Sequence, residues 1–490
     1  MGNLSGKIAL FTVCAVLTGC AATPPKATEN LSPPVEDPYL FEPNDGESVA
    51  ALRGSFTVPE NRSDPNSRDI TLHYVKFPST SENPGAPIVY LAGGPGGSGV
   101  NTARSRRFPL FMALREVADV IAFDQRGTNW SSDLTDCETD IGYPLDAALE
   151  VDKAIRLYEQ AAAECLENWS NAEFDLTGYN TLESAHDLED LRVHLGAKKI
   201  NLWSISYGTH LTLAAVKIMV NRIDRIVMTG AEGLHQTVKL PARTDEFFGR
   251  VQDAIDQDPA AKAIYPDIAS LMRRVQAKLD AEPVTVEIEG PDGAPVTLSY
   301  GKTDMQMITS FAIADPSNTA RILSLYLAID AGQYQAAAPL IYRFLRSGTI
   351  EFNPMSTAMD IASGISDERL ALVEKQAETS LVASFLNFPM PHLKDAFGDL
   401  DLGEDFRSLP RSKTPTLLLT GTLDGRTYPN SQTEAVAGFA DVTQVMVENA
   451  GHNLFMSSPE VGQRIVDFFI GNEASAEPII LPLPDFKPQQ

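Results

Sequence analysis

The sequence predicts an α/β fold: a mostly parallel central sheet flanked by helices, interrupted by a mainly helical insertion. Three observations predict it. Short apolar runs at 87–91, 117–123, 200–203, 225–230, 417–419 and 442–447 read as buried strands. Glycine-rich or polar turns follow them, and 181–195 and 209–220 carry helical patterning on either side of one such run. Between 235 and 409 the pattern turns helical, and the strand pattern resumes afterwards.

The first segment reads as an export signal. Met1 to Lys7 is short with one cation, and Ile8 to Leu17 is long enough for a signal core but too short to span a bilayer. It ends in Leu17-Thr18-Gly19-Cys20, which resembles a bacterial lipoprotein box. Residues 1–19 are then the signal and Cys20 the lipidated first mature residue, with a plain secretory signal as the alternative. Gly6 stands where N-myristoylation needs serine or threonine. Ala21, not aspartate, follows the cysteine, a pattern that points to the outer membrane, on the periplasmic side of a bacterial envelope. Residues 20–50, rich in Pro, Thr, Glu and Asn, read as a flexible tether.

The core's N-terminal part is expected over 51–234. It opens with Gly54 to Val58 and the alternating strand Asp69 to Phe77. The helical insertion, 235–409, shows apolar spacing at Phe247, Phe248, Val251 and Ile255, then at Ile268, Leu271, Met272, Val275 and Leu279. A hairpin, 284–288 and 296–300 around Pro291-Asp-Gly293, interrupts it. The core's C-terminal part is expected over 410–474, and 475–490 as a tail.

Composition suits this picture. A chain of 490 residues with 43% hydrophobic and 21% charged content can bury a large core, so intrinsic disorder is excluded. A formal charge of −26 argues against nucleic acid or an anionic membrane surface as partner. Membrane association is expected only through the N-terminal lipid.

Chemistry concentrates at strand ends. Ser204-Ile-Ser-Tyr-Gly-Thr209 follows the run at 200–203 and precedes a helix, so Ser206 occupies the nucleophile position of a G-x-S-x-G turn. Asp424 lies in the loop after 417–419, and His452 in the loop after 442–447. The bland readings are that Asp424 begins a turn with Gly425 and that His452 is a surface histidine. The order Ser206, Asp424, His452 at matching strand ends favours a catalytic triad. Leu91-Ala-Gly-Gly-Pro-Gly-Gly-Ser-Gly99 follows the strand at 87–91. Glycines there let main-chain N–H groups approach an oxyanion, with Gly94, and beside it Gly93, paired with the amide of Tyr207. The run lacks the Gly-Lys-Ser/Thr ending of a nucleotide loop. No metal-ligand cluster stands out and no cofactor is expected. His210 reads as a packing residue.

Taken together, Gly93-Gly-Pro-Gly96, Asp124-Gln-Arg-Gly-Thr128, the turn at Ser206 to Gly208, Asp424 and His452 resemble the prolyl iminopeptidases and tripeptidyl aminopeptidases among the α/β-hydrolases. The resemblance spans roughly 50 to 470. It departs at Ala92, where the family usually has histidine, at Ser204 for glycine, and at Asn129 for a glycine. It implies an α/β-hydrolase fold with a helical cap after the sixth strand and a serine aminopeptidase acting on short peptides. Arg126 is expected to hold the Asp-Gln-Arg loop to the glycine loop. Among acids, Glu232, Glu246 and Asp245 are candidates to bind the substrate's free amine. In an oxidising envelope Cys137 and Cys165 are expected to form a disulfide, as members of the family often carry a pair here; two buried thiols are the alternative. An esterase or lipase would use the same triad, and a catalytically silent binding lipoprotein is a third reading. No pattern in the sequence sets an oligomeric state.

Overall fold

The structure, a computed structural model, describes residues 34–291 and 293–488. The signal over 1–19 and the expected lipidation site, Cys20, lie outside the described residues.

A ten-stranded sheet organises the chain. Its parallel part runs, in spatial order, Val120–Asp124, Ile88–Leu91, Ile200–Ile205, Ile223–Thr229, Thr416–Gly421, Val442–Glu448 and Ile479–Ile480. Glu36–Phe41, Val49–Pro59 and Asp69–Phe77 extend it antiparallel beyond Val120–Asp124. Strand alternation sorts side chains onto two faces. Val89, Leu91, Leu202, Met228 and Leu418 join one apolar layer, with Leu211 of the helix Tyr207–Met219. Ile88, Tyr90, Trp203, Val227 and Leu419 join the other, with Phe111 and Phe455. Both faces are covered, which is why these strands read as unbroken apolar runs.

The insertion leaves the sheet after Ile223–Thr229 and returns at Thr416–Gly421. Ile223–Thr229 is the sixth strand counted from Val49–Pro59, and the seventh once the edge strand Glu36–Phe41 is included. The insertion has an apolar centre of its own, with Phe247, Val251, Met272, Leu323 and Tyr326. Its later part behaves differently: Phe352, Met355, Met359 and Phe397 pack into a sheet-face layer instead. The cap is therefore keyed into the core as well as lying over it.

Two boundaries move. The tether expected over 20–50 gives way to a strand at Glu36–Phe41, in register with Val49–Pro59 from Phe41↔Val49 to Glu36↔Gly54. Phe41 is fully buried and stacks against Phe108, while Tyr74 donates to Glu36 Oε1 at 2.8 Å. The tail is likewise not free, because Ile479–Ile480 adds to Val442–Glu448 and Phe486 is buried in the cap's apolar centre. Cys137 and Cys165 are disulfide-bonded.

Candidate active site

Ser206 caps the helix Tyr207–Met219 at the end of the strand Ile200–Ile205, with φ 55° and ψ −129°. A side chain at positive φ is strained, and such strain clusters at functional sites. Two neighbours hold the turn. Ser206 N donates to the Thr229 carbonyl at 3.1 Å, and Thr209 N donates back to the Ser206 carbonyl at 2.7 Å. Ser204, the departure from glycine, is completely buried and accepts from Thr212 Oγ1 at 2.9 Å, so its side chain is absorbed inside the helix–strand packing.

The glycine loop lies directly against this turn. A Cβ on Gly93 would come 2.9 Å from Ser206 Cβ and 3.0 Å from the Ile205 carbonyl oxygen. One on Gly208 would come 2.2 Å from the Leu91 carbonyl oxygen. Gly94, at φ +127°, adopts a conformation that L side chains rarely reach. Tyr207 is the first helical residue, so its N–H has no intrahelical acceptor.

The Asp-Gln-Arg run braces this loop through residues other than the expected one. Gln125 Nε2 donates to the Ala92 carbonyl at 3.1 Å. Asp124 Oδ1 accepts from Ser98 Oγ at 2.6 Å and Val100 N at 3.1 Å, and Asn129 Nδ2 donates to Asp124 Oδ2 at 2.7 Å. Arg126 points elsewhere. It is fully buried, paired with Asp187 at 2.7 Å, and donates to the carbonyls of Glu60 and Gly178. Its role is structural, but it anchors the helix Thr181–His194 and not the glycine loop.

Asp424 and His452 form a bonded pair: His452 Nδ1 lies 2.9 Å from Asp424 Oδ2. The carboxylate is buried and surrounded by donors. Oδ1 accepts from Arg426 N at 2.8 Å and Thr427 N at 2.9 Å; Oδ2 accepts from Thr427 Oγ1 at 2.8 Å and Gln432 Nε2 at 3.1 Å. Burial opposes the charge on Asp424, but His452 and the Thr427 donors outweigh it and hold the carboxyl below its ordinary range. Gly230, directly after the carbonyl that holds Ser206 N, backs the imidazole: a Cβ there would sit 2.7 Å from His452 Cε1. The Thr229-Gly230 dipeptide thus brings the serine turn and the histidine loop together.

The cap reaches this pair as well. His452 N donates to the Ala314 carbonyl at 2.9 Å. A Cβ on Gly425 would meet the Ile313 carbonyl oxygen at 2.3 Å, and one on Gly451 the Ala314 carbonyl oxygen at 2.7 Å.

The acids proposed for amine binding separate. Glu232 is buried, and its Oε2 is 2.9 Å from Lys239 Nζ, so its charge is already matched. Glu232, Lys239, Arg369 and Thr427 line one narrow crevice, which places this pair beside Asp424's partner. Glu246 is half exposed, 3.9 Å from Arg243. Asp245 accepts from Ser380 Oγ and Leu381 N at 3.0 and 2.9 Å, a local structural role.

A further acid was not singled out by the sequence pattern. Asp360 lies on the cap helix Pro354–Ser363, which packs against the helix that follows Ser206 and against the glycine loop. Met359 Sδ accepts from Tyr207 Oη at 3.1 Å, Ser363 Oγ is 3.1 Å from His210 Nε2, and a Cβ on Gly96 would be 3.6 Å from Ser356 Cβ. His210 is fully buried there, and burial lowers its pKa to about 4, which suits a neutral packing residue. Asp360 is partly exposed and makes no hydrogen bond or ion pair with any described residue. Burial, then the nearby charge of Glu232, push its carboxyl up to about 7, against the pull of Lys239 and Arg426. Thr427 and Gln432 were also missed, although an Asp-x-x-Thr turn is a recognisable side-chain-to-backbone signature.

The order of strands, the serine turn and the acid–histidine pair together define an α/β hydrolase. A model of the α/β hydrolase fold family matches residues 86–459, and the chain belongs to that family. Among curated proteins it is similar to the serine protease Hip1 of Mycobacterium tuberculosis, 25% identical over 240 residues, 46% of this chain and 45% of that one. It is also similar to the tripeptidyl aminopeptidase of Streptomyces lividans, 28% identical over 305 residues, 58% of this chain and 55% of that one. The matches span about half the length of these relatives. Among solved structures, the proline iminopeptidase of Mycobacterium smegmatis aligns over 85% of this chain and 97% of that one, at 15% identity and a TM-score of 0.38.

Proposed function

We propose that this hydrolase is a serine aminopeptidase that cleaves short peptides near their free N-terminus. The observation that carries the reading is Asp360, a carboxylate without a partner among the described residues, on a helix that packs against Tyr207 and the glycine loop. Relatives named as a serine protease and a tripeptidyl aminopeptidase support it. A substrate ammonium is the kind of partner that an unpaired, half-buried carboxylate lacks.

In this mechanism Asp424 holds His452 in the tautomer with Nδ1 protonated. Nε2 takes the proton of Ser206 as its oxygen attacks the peptide carbonyl. The main-chain N–H groups of Gly94 and Tyr207 receive the oxyanion. His452 returns the proton to the leaving amine, and water, activated by the same base, releases the acyl group from Ser206. The Ser206 hydroxyl makes no hydrogen bond among the described residues, a common state before substrate tightens the site. Asp360 would hold the ammonium, with Glu232–Lys239 as its electrostatic neighbour. No step needs a metal or cofactor. Export, lipidation at Cys20 and residence in a bacterial envelope belong to the same proposal and rest on the leader sequence.

The test compares a peptide amide bearing a free N-terminus with its N-acetylated twin. Loss of the charge should lower kcat/KM by at least about 100-fold. Asp360→Asn should remove most of that difference. Equal cleavage of both, or turnover of simple esters with none of peptides, would replace the proposal with an esterase.

A further inference from the structure

The helix that carries Asp360 is held from behind by a small construction outside the site. Its first residues follow the strand Glu351–Phe352, which pairs antiparallel with Cys137–Glu138, Phe352 opposite Cys137. The ribbon continues on both sides. Ile350 N donates to the Ile141 carbonyl and Thr139 Oγ1 to the Ile350 carbonyl, each at 2.7 Å. Asn353 joins ribbon to helix: its Oδ1 accepts from Ser356 N at 2.9 Å as N-cap, while its Nδ2 donates to Asp136 Oδ1 at 2.7 Å.

The disulfide fixes the far strand of this ribbon to the helix Val151–Ser170 through Cys165. That helix packs on the same strand pair, with Tyr158 edge-on to Phe352 at 5.9 Å. Covalent and packed contacts thus run from Cys165 to Cys137, to Phe352, to Asn353 and into the helix. Asp360 stands six positions after Pro354, about 9 Å of helical rise. A helix of this length moves as a rod, so a shift at its N-terminus is delivered to Asp360.

We infer that the Cys137–Cys165 disulfide and the ribbon it braces are a positioning device for Asp360, setting substrate capture without taking part in acyl transfer. The inference rests on the reading of Asp360 given above. Ser206, Asp424 and His452 stand on loops of the sheet, outside this ribbon, and the braced helix meets the serine region through the side chains of Met359 and Ser363. Cys137, Cys165 and Asn353 act through Asp360 and touch no reacting atom.

The experiment uses the full chain with Cys137→Ser/Cys165→Ser and, separately, Asn353→Ala, which leaves the disulfide intact. The measured quantities are KM and kcat for a free-amine peptide amide, turnover of p-nitrophenyl acetate, and amide hydrogen exchange over 351–363. In both variants KM should rise, by about tenfold or more for the double variant, while ester turnover stays within about twofold. Exchange should quicken over 351–363 and not across the sheet. Unchanged KM with unchanged exchange overturns the inference, as does a parallel fall of peptide and ester turnover. If the double variant does not fold, Asn353→Ala decides by the same readings. If the wild type cuts no peptide, the aminopeptidase proposal falls by itself. Exchange over 351–363 then judges the brace alone: faster exchange upholds it, and unchanged exchange overturns it.

Discussion

Gly230 and His452 are in direct contact: the space where a side chain on Gly230 would stand is occupied by the imidazole, 2.7 Å from Cε1 and 3.0 Å from Nδ1. Gly230 also has φ +59°, so two independent constraints require glycine there.

Gly230→Ala should therefore act as a displacement of the base. The methyl group pushes His452 off the line to Ser206, and misplacements of this size cost about 100-fold in rate. Strain at positive φ adds a stability loss of about 1–3 kcal/mol. Steady-state kinetics with a thermal melt checks both. Wild-type kcat with a lowered midpoint would show that the base tolerates the shift.

A fluorophosphonate probe should label Ser206. Ser206→Ala should abolish labelling and turnover, whereas Ser204→Ala, which removes a buried hydroxyl bonded to Thr212 and to the Val227 carbonyl, should retain both. Mass mapping of the labelled peptide decides. The opposite pattern would move the nucleophile to Ser204.

Thr427→Val removes the hydroxyl that lies 2.8 Å from Asp424 Oδ2 and 3.2 Å from His452 Nδ1. The acid keeps its main-chain donors but loses one charge-assisted bond, worth roughly 1.5–3 kcal/mol when made to a charged group. We expect kcat to fall by roughly 10- to 100-fold, with KM nearly unchanged. A KM effect alone would place Thr427 in substrate binding.

Asp360 gives the pH dependence a definite sign. Its carboxyl titrates at about 7 in the folded chain, against an ordinary 3.8. Between those values the folded protein holds a proton that the unfolded chain has released, so the stability contribution of this group declines as pH rises from about 4 to 7. Over the same interval the carboxylate needed for the substrate ammonium appears. KM for a free-amine peptide should fall as pH rises toward 7, then rise again as the α-amine loses its proton near about 8. In Asp360→Asn the thermal midpoint should decline less across that window and KM should lose its lower limb. Identical profiles in the two proteins would remove Asp360 from the site.

Cys20→Ala tests the anchor. Wild type should partition into detergent with a lipid-modified Cys20 at its mature N-terminus, and the variant should carry no lipid. A mature terminus downstream of Cys20 without lipid mass would leave a plain secretory signal.

Ser206, Asp424 and His452 stand out in the sequence because each follows an apolar run and stands where a turn must form, and the structure bonds Asp424 to His452. The strands were legible for the same reason, being covered on both faces. Asp360 was not. It sits inside Met359-Asp360-Ile361, an ordinary helical stretch, and only the crossing of that helix over Tyr207 gives it meaning. The ion pair of Glu232 was hidden for a related reason, since Lys239 is seven residues away in sequence yet 2.9 Å away in space. The edge strand Glu36–Phe41 escaped because most of its side chains are polar or exposed, and its order comes from partners at Tyr74 and Val49–Pro59.

The carbonyl of Ala314 accepting from His452 N, with Gly425 and Gly451 pressed against the same cap segment, constrains how such an enzyme can diversify. The cap cannot be exchanged as an independent module, because its backbone completes the mounting of His452. A chimera carrying a foreign cap would need Ile313 to Asp315 retained, or it would inherit new specificity on a loosened histidine. Variation is therefore channelled into other parts of the cap, while the stretch that grips the loops of Asp424 and His452 stays fixed.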